Sequence, residues 1–452
     1  MHSYQIPENS ALRSPDFIFG VSTSSYQIEG GVHEGGRGVS IWDTFSHREG
    51  TIENNDNGDV ACDHYHLWEQ DIEMIHDLGV DAYRLSIAWP RIVPEEGVVN
   101  AQGLAFYKKI IDACHAKGIK VFVTLYHWDL PQYLEDRGGW LNRETAYKFA
   151  AYADIVSAFF GDRIDVYTTL NEPLVSSYLG YRLGIHAPGI KGDKEGFQAS
   201  HHLMLAHGLA MPVLRKNAPN SRHGLVINAG PAYPESPSDQ DAADYFDAEF
   251  WHWFIDPVLK GEYPSAVLER QSQNRPLILK GDLDIISAPI DYLGINYYSR
   301  FVVRFTSDHQ IEVVDQENVE KTLMGWEIYP QGLTDLLVRI QERYQHLPPI
   351  YITENGASGD DTVDENGEVH DEQRIRYVQE HLNALDTAIK RGVRVDGYFA
   401  WSLMDNFEWA YGYRQRFGMV HVDYQSQKRT LKDSAIAYKK MLKDRKAEKN
   451  NG

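Results

Sequence analysis

Cysteine is nearly absent: Cys62 and Cys114 are the 2 cysteines in 452 residues, too few for the disulfide frameworks of small secreted domains. Cys114 falls on the apolar side of the spacing Tyr107, Ile110, Ile111, Cys114, which predicts a buried thiol and fits a reducing, cytoplasmic setting. Long apolar runs are lacking too. No stretch approaches the roughly 18 continuous apolar residues of a membrane span, and Met1 to Ser14 carry Pro7 and Glu8 where a signal peptide has its apolar core. Positive charge is in deficit: 44 Lys and Arg against 65 Asp and Glu give a formal charge of −21. That field repels nucleic acid and anionic membranes and disfavours a phosphorylated substrate without a local basic pocket. The expected ligand is a small neutral molecule. A Walker-type phosphate loop and a dinucleotide fingerprint are also missing, because Gly30-Gly31 and Gly35-Gly36 lie in a polar stretch with no helix start behind them. No cofactor is expected.

Aromatic residues are plentiful, with 10 Trp, 27 Tyr and 17 Phe. Most serve a core, and the remainder suit a ligand that needs both stacking and hydrogen bonds. A unit recurs along the chain: an amphipathic helix, a Gly in the left-handed C-cap position, then a β-branched or aromatic run. Gly79 precedes Ala82 to Ser86, Gly118 precedes Val121 to Leu125, Gly161 precedes Val166 to Leu170, and Gly392 precedes Gly397 to Trp401. Before the last run, Ile375, Val378, Leu382, Leu385 and Ile389 mark one helix face. Phe17 to Val21, Leu225 to Asn228, Tyr292 to Asn296 and Ile350 to Thr353 bring the strand candidates to eight. Alternating helices and strands predict the α/β class, and eight parallel strands close a (β/α)8 TIM barrel. The strand ends, near 21, 86, 125, 170, 228, 296, 354 and 401, lie farther apart than the roughly 31 residues per unit of a minimal barrel. The surplus is assigned to long loops after the strands. With no linker or low-complexity tract, residues 1–452 read as a single catalytic domain, and the charge-rich Lys443 to Asn450 as a frayed terminus.

Barrel enzymes carry their chemistry at the C-terminal strand ends. Here those ends hold Gln27 to Glu29, Arg84, His127-Trp128-Asp129, Asn171-Glu172, Asn228, Asn296-Tyr297-Tyr298, Glu354-Asn355 and Trp401. Two glutamates, Glu172 and Glu354, directly continue apolar strands four and seven. A carboxylate there is costly unless paired or used. Strands four and seven are expected to face each other across the ring, which sets two carboxyls over one axis as in glycoside hydrolysis. A metal is not expected: Cys62, Asp63, His64 and His66 lack a second ligand pair at zinc spacing and read as cap and packing residues. His201, His202 and His207 lie in an Ala- and Leu-rich helix and read as packing.

The chain resembles glycoside hydrolase family 1, and within it the bacterial β-glucosidases, almost end to end. The resemblance is carried by Phe17 to Gly30, Arg84 to Arg91, Thr124 to Pro131, Asn171-Glu172-Pro173, Gly294 to Tyr298, Gly325 to Pro330, Ile352 to Gly356 and Trp401 to Trp409. It implies a retaining mechanism with Glu354 as nucleophile and Glu172 as acid and then base. Glu172 is expected to stay protonated because of the charge on Glu354. Arg84 and Tyr298, with Asn296, would hold Glu354 ionised and aimed. Gln27, His127, Asn171, Glu408 and Trp409 would bind sugar hydroxyls over a Trp401 floor, with Trp128 and Phe417 beside them and Trp326 at the leaving-group rim. The resemblance also implies a cis bond between Trp401 and Ser402.

An ionised Glu408 accepts two hydroxyl hydrogens and repels a 6-phosphate. The phospho-glycosidase branch has a Ser there, with Lys and Tyr about where Gln415 and Phe417 stand. The implied substrates are cellobiose, cello-oligosaccharides and aryl or alkyl β-glucosides, hence a place in cellulose and other polysaccharide degradation. A 6-phospho-β-glucosidase or a broad β-galactosidase or β-fucosidase is the enzyme alternative. A non-catalytic sugar binder is disfavoured by the presence of both glutamates, and a thioglucosidase by Glu172, which that branch replaces with Gln. The sequence does not decide between a monomer and a homo-oligomer.

Overall fold

The computed structural model describes residues 3–451. Its centre is a closed barrel of eight parallel strands: β1 (Ile18–Ser22), β2 (Ala82–Ser86), β3 (Lys120–Tyr126), β4 (Val166–Asn171), β5 (Arg222–Asn228), β6 (Tyr292–Asn296), β7 (Ile350–Asn355) and β8 (Val395–Trp401). Strands buried on both faces need apolar residues at successive positions, which is why they read as unbroken β-branched and aromatic runs. All five residues of β2 and all six of β4 and β7 are buried. Helices α1 (His64–Leu78), α2 (Ala101–Ala116), α3 (Glu144–Phe160), α4 (Asp193–Asn217), α5 (240–259), α6 (Gln331–Arg343), α7 (Glu372–Lys390) and α8 (Asp433–Asn451) follow the strands in order. On α7, Val378, Leu382 and Leu385 are buried, with Ile375 and Ile389 packed beside them, as the helical spacing predicts. Cys114 is buried.

One end of the barrel is plugged. Ala82, Phe122, Val166, Tyr292, Tyr351 and Phe399 form a cluster, with Phe122 4.8 Å from Phe399 and 5.2 Å from Tyr351, ring centre to ring centre. One step further along, the inward positions become polar: on β2, Ala82 belongs to the plug and Arg84 reaches the site. Two strands break the alternation. The pairing of β4 with β5 shifts register between Thr168 and Asn171, and that of β7 with β6 shifts between Ile352 and Glu354. A register shift re-aims the side chains beyond it. Thr353 and Glu354, adjacent in sequence, consequently both reach interior partners.

Four expectations need correction. In the ring order, β4 and β7 are separated by β5 and β6, and the strand opposite β4 is β8. The carboxyls converge because of the bulges and their shared neighbours, rather than by facing each other across the ring. Gly79 caps α1 in the left-handed conformation, with φ 78° and ψ 17°, but Gly161 has φ 51° and ψ −138° and starts a short 3-10 turn. Residues 443–450 are helical rather than frayed, since Arg445 of α8 reaches Asp81 at 2.9 Å and the Ser14 carbonyl at 2.7 Å. Asp63 occupies the N-cap position of α1 without a side-chain bond to the helix backbone; its carboxylate meets the His66 ring instead, at 2.6 Å.

Candidate active site

At the open end of the barrel lies a cavity of about 620 Å³ bordered by both strand-end glutamates. Glu172 follows β4 directly, in a left-handed conformation with φ 50°, and its amide donates to the Val226 carbonyl of β5 at 2.9 Å. One of its carboxyl oxygens accepts from Asn296 Nδ2 at 2.8 Å and from Asn171 Nδ2 at 3.5 Å. Glu354 is bound differently. Its Oε2 accepts from Arg84 Nη1 at 2.9 Å and its Oε1 from the Tyr298 hydroxyl at 2.6 Å.

The two carboxyls share a scaffold. Arg84 Nη2 donates to Asn171 Oδ1 at 2.7 Å, and Asn296 Nδ2, which holds Glu172, also reaches that oxygen at 3.1 Å. Thr353 Oγ1 fixes the Asn296 amide by donating to its Oδ1 at 2.6 Å. Because Asn171 Oδ1 is occupied by two donors, its Nδ2 points to His127 Nε2, 3.2 Å away. Burial, reinforced by Arg84, holds the His127 imidazole well below its usual value. It is therefore neutral, accepts at Nε2 and carries its proton on Nδ1, which has no protein partner.

Electrostatics separates the two glutamates. Burial, and after it the charge of Glu354, pushes Glu172 up to about 8. The charge of Glu354, the one cause expected, is joined by desolvation, which is the larger effect. Burial also raises Glu354, while Arg84 and the Tyr298 hydroxyl pull it back. A guanidinium can only donate, and here it faces Glu354, so the first charge of the pair settles on Glu354 and the remaining proton on Glu172.

The 401–409 segment supplies another wall. Trp401 and Ser402 are joined by a cis peptide, and His127 stacks near Trp401 at 6.0 Å with 18° between the rings. Gln27 Nε2 donates to the Phe407 carbonyl at 2.8 Å and reaches Glu408 at 3.4 Å. Trp409 lies 4.5 Å from Trp128, whose indole nitrogen donates to the Asn171 carbonyl at 2.9 Å. Glu408 opens onto the cavity, yet desolvation, followed by the charges of Glu354 and Glu172, pushes it up to about 8. Glu408 is therefore corrected from the ionised carboxylate expected of it: its surroundings favour the proton. Trp326 is 36% exposed at the rim, 5.3 Å from Tyr298 and 6.1 Å from Phe417. Every residue singled out for sugar binding except Asn171 borders the cavity directly, and Asn171 lies just behind it in the Arg84 and His127 network.

The discounted histidines sit elsewhere, each with a protein partner: His64 on Asp71 at 2.7 Å, His66 on Glu34 at 2.9 Å, His201 between Tyr263 and Asp282, His202 on the Trp140 carbonyl and His207 on Thr169. Sequence reasoning missed Asp405. It is fully buried and accepts from Arg416 and Lys432 at 2.7 Å each and from the amides of Gly418 and Val422. These bonds staple the segment that carries Trp401 and Glu408. Its position inside the Trp401 to Trp409 motif was the available signal.

A parallel barrel whose strand ends bring two buried carboxyls with different partners into one sugar-sized cavity is the architecture of a glycoside hydrolase. A family model described as glycosyl hydrolase family 1 matches residues 10–447, and the chain belongs to that family. It is 48% identical over 433 residues to "Beta-glucosidase A" of Thermotoga maritima, covering 95% of this chain and 97% of that one. It is 44% identical to a "Bifunctional beta-D-glucosidase/beta-D-fucosidase" of Bifidobacterium breve, covering 95% and 98% respectively. Among solved structures, the Thermotoga maritima β-glucosidase in complex with cyclophellitol superposes with a TM-score of 0.93 at 46% identity, over 96% of this chain and 98% of that one.

Proposed function

We propose that this chain is a retaining β-glucosidase that releases terminal β-D-glucosyl units from cellobiose, cello-oligosaccharides or aryl and alkyl β-glucosides. The observation that carries the reading is the contrast between Glu354, held by Arg84 and Tyr298, and Glu172, held by amide groups and pushed up to about 8 by burial and the charge of Glu354. Glu354 attacks C1 while Glu172 gives its proton to the glycosidic oxygen; the C1–O bond breaks and the alcohol leaves. Ester formation removes the negative charge on Glu354, so Glu172, now ionised, takes a proton from the water that attacks C1, and Glu354 departs as carboxylate.

Arg84, Tyr298 and Asn296 keep the pair in these states. His127 Nδ1 donates to a sugar hydroxyl; Gln27, Asn171, Glu408 and Trp409 bind others; Trp401 is the floor, and Trp128, Trp326 and Phe417 line the sides. The cations bordering the cavity mouth are already engaged, Arg300 with Glu327 and Lys321 with Asp315, which supports glucosides over their 6-phosphates. Residues 1–452 act as one catalytic domain, a reading supported by a buried core that runs from Tyr4 to Leu442. Among the described residues, no helix is long and apolar enough to cross a membrane, and the buried thiols suit a cytoplasmic setting.

The test is intact-mass analysis after reaction with a 2-fluoro-glucosyl donor. The wild type gains one fluoroglucosyl group, and Glu354→Gly gains none and hydrolyses no aryl glucoside while keeping its fold. A labelled and active Glu354→Gly refutes the assignment. Faster turnover of an aryl glucoside 6-phosphate than of the glucoside refutes the substrate class.

A further inference from the structure

Two carboxyls at the strand ends play no part in the chemistry above, Glu29 and Asp129. The fold accounts for Glu29, which accepts from Arg91 Nε at 2.7 Å and from the Tyr107 hydroxyl at 2.8 Å. Asp129 is different. It has no exposure, its Oδ2 accepts from the Ser25 hydroxyl at 2.5 Å, and its Oδ1 has no protein partner. Burial pushes this acid up to about 7. A buried carboxyl with a single hydrogen bond costs stability, and perturbed acids of this kind gather at functional sites. Asp129 directly follows His127 and Trp128, which border the large cavity, while Asp129 itself borders a separate space of about 10 Å³. Trp128 has φ 83°, a left-handed conformation that a bulky residue keeps only where its neighbours are fixed.

Ser25 opens the helical turn Ser25–Ile28, whose Gln27 borders the large cavity. The Ser25 amide donates to Ser86 Oγ at 2.7 Å, and Ser86 Oγ donates back to Ser25 Oγ at 3.0 Å. Ser86 is the last residue of β2, two after Arg84. Gln27 is itself aimed, its Oε1 accepting from the Ser24 hydroxyl at 2.5 Å. A short run of hydroxyls ending on Asp129 therefore joins the segments at the ends of β1, β2 and β3. We propose that Asp129, acting through Ser25, is a positioning residue: their bond holds Gln27 and the His127-Trp128 pair at the spacing that fits one sugar ring. The proposal rests on the glucosidase reading above. Breaking the bond lets the Gln27 turn shift against β3, so the sugar hydroxyls are gripped less well throughout the reaction, and the loss falls on KM more than on the bond-making step at Glu354.

The experiment measures kcat and KM of the full chain on an aryl β-glucoside. In Ser25→Ala, kcat/KM falls about tenfold, the worth of one hydrogen bond, and KM carries most of the fall. In a Gln27→Ala background the same change costs less than about twofold, because the side chain it aims is gone. Asp129→Ala repeats the loss of Ser25→Ala, and Asp129→Asn, which keeps an acceptor for the Ser25 hydroxyl, recovers about fivefold of it. The Ser25 and Gln27 variants decide the question even where Asp129→Ala does not fold. An equal cost of Ser25→Ala with and without the Gln27 side chain, an unchanged KM beside a lowered melting temperature, or an Asp129→Asn no more active than Asp129→Ala overturns the proposal and leaves the glucosidase reading intact. A wild-type chain that turns over no aryl glucoside overturns the glucosidase reading as well.

Discussion

Replacing Glu354 with Gln removes a buried negative charge while nearly preserving side-chain shape, and the consequence is felt by Glu172. Burial is the larger reason that Glu172 is pushed up to about 8, and the charge of Glu354 is the second. Two carboxyls at the roughly 5.5 Å separation of a retaining pair interact with about 3 kcal/mol at an effective dielectric of about 20. That energy is about two pKa units. Glu172 in Glu354→Gln therefore titrates near about 6, and it stays above an ordinary carboxyl because its desolvation is unchanged. Titration of the 13C-labelled glutamate carboxyls, with Glu172→Gln to assign the resonance, measures both values. A shift smaller than half a unit would show that the two groups are not electrically coupled, and a fall to the ordinary glutamate range would show that burial is not the main cause. The same drop occurs when the glycosyl ester forms, which is how one side chain serves as acid in the first step and base in the second.

Three further outcomes follow from the contacts. Tyr298→Phe deletes the 2.6 Å bond to Glu354, so kcat falls about ten- to a hundredfold, the worth of a bond to a charged group, and the acidic limb of the pH–rate profile moves up because the nucleophile holds its proton to higher pH. Glu408 is pushed up to about 8 in the folded chain; its contribution to stability is present below the ordinary carboxyl value and is lost as pH rises towards 8. Glu408→Gln therefore raises the melting temperature at pH 8 more than at pH 5, on the order of a degree or two, while lowering kcat/KM on aryl glucosides at least about tenfold. Lys432→Met removes one partner each from Asp361 and Asp405, which the buried lysine meets at 2.5 and 2.7 Å and which keep Arg374 and Arg416 at 2.8 and 2.7 Å; denaturant unfolding should show a loss of about 1.5–3 kcal/mol, the worth of a hydrogen bond to a charged group.

Much of the barrel is legible in the chain because its strands are buried on both faces, so apolar runs end abruptly where polar chemistry begins. Glu172 and Glu354 stand out for that reason, as polar groups placed where a core should continue. What local pattern could not supply depends on partners distant in sequence. The register shifts after Thr168 and Ile352 arise from pairing with β5 and β6, and without them Asn171 and Glu354 would alternate to the wrong face. The order of causes acting on Glu172 depends on how tightly the finished cavity encloses it. Asp405 gathers Arg416 and Lys432 through space. The end of the last helix reads as a tail because its surface is polar, and its anchors are distant in sequence: Arg445 reaches Asp81 and the Ser14 carbonyl, and the Tyr438 hydroxyl reaches the Gly20 carbonyl.

The most direct measurement of the central claim is the configuration of the first sugar released from an aryl β-glucoside, followed by proton NMR before mutarotation. Double displacement at Glu354, with Glu172 as acid and base, predicts β-glucose first and the α-anomer only as equilibration proceeds. Initial release of α-glucose would mean a single displacement by water, and would contradict the role assigned to Glu354.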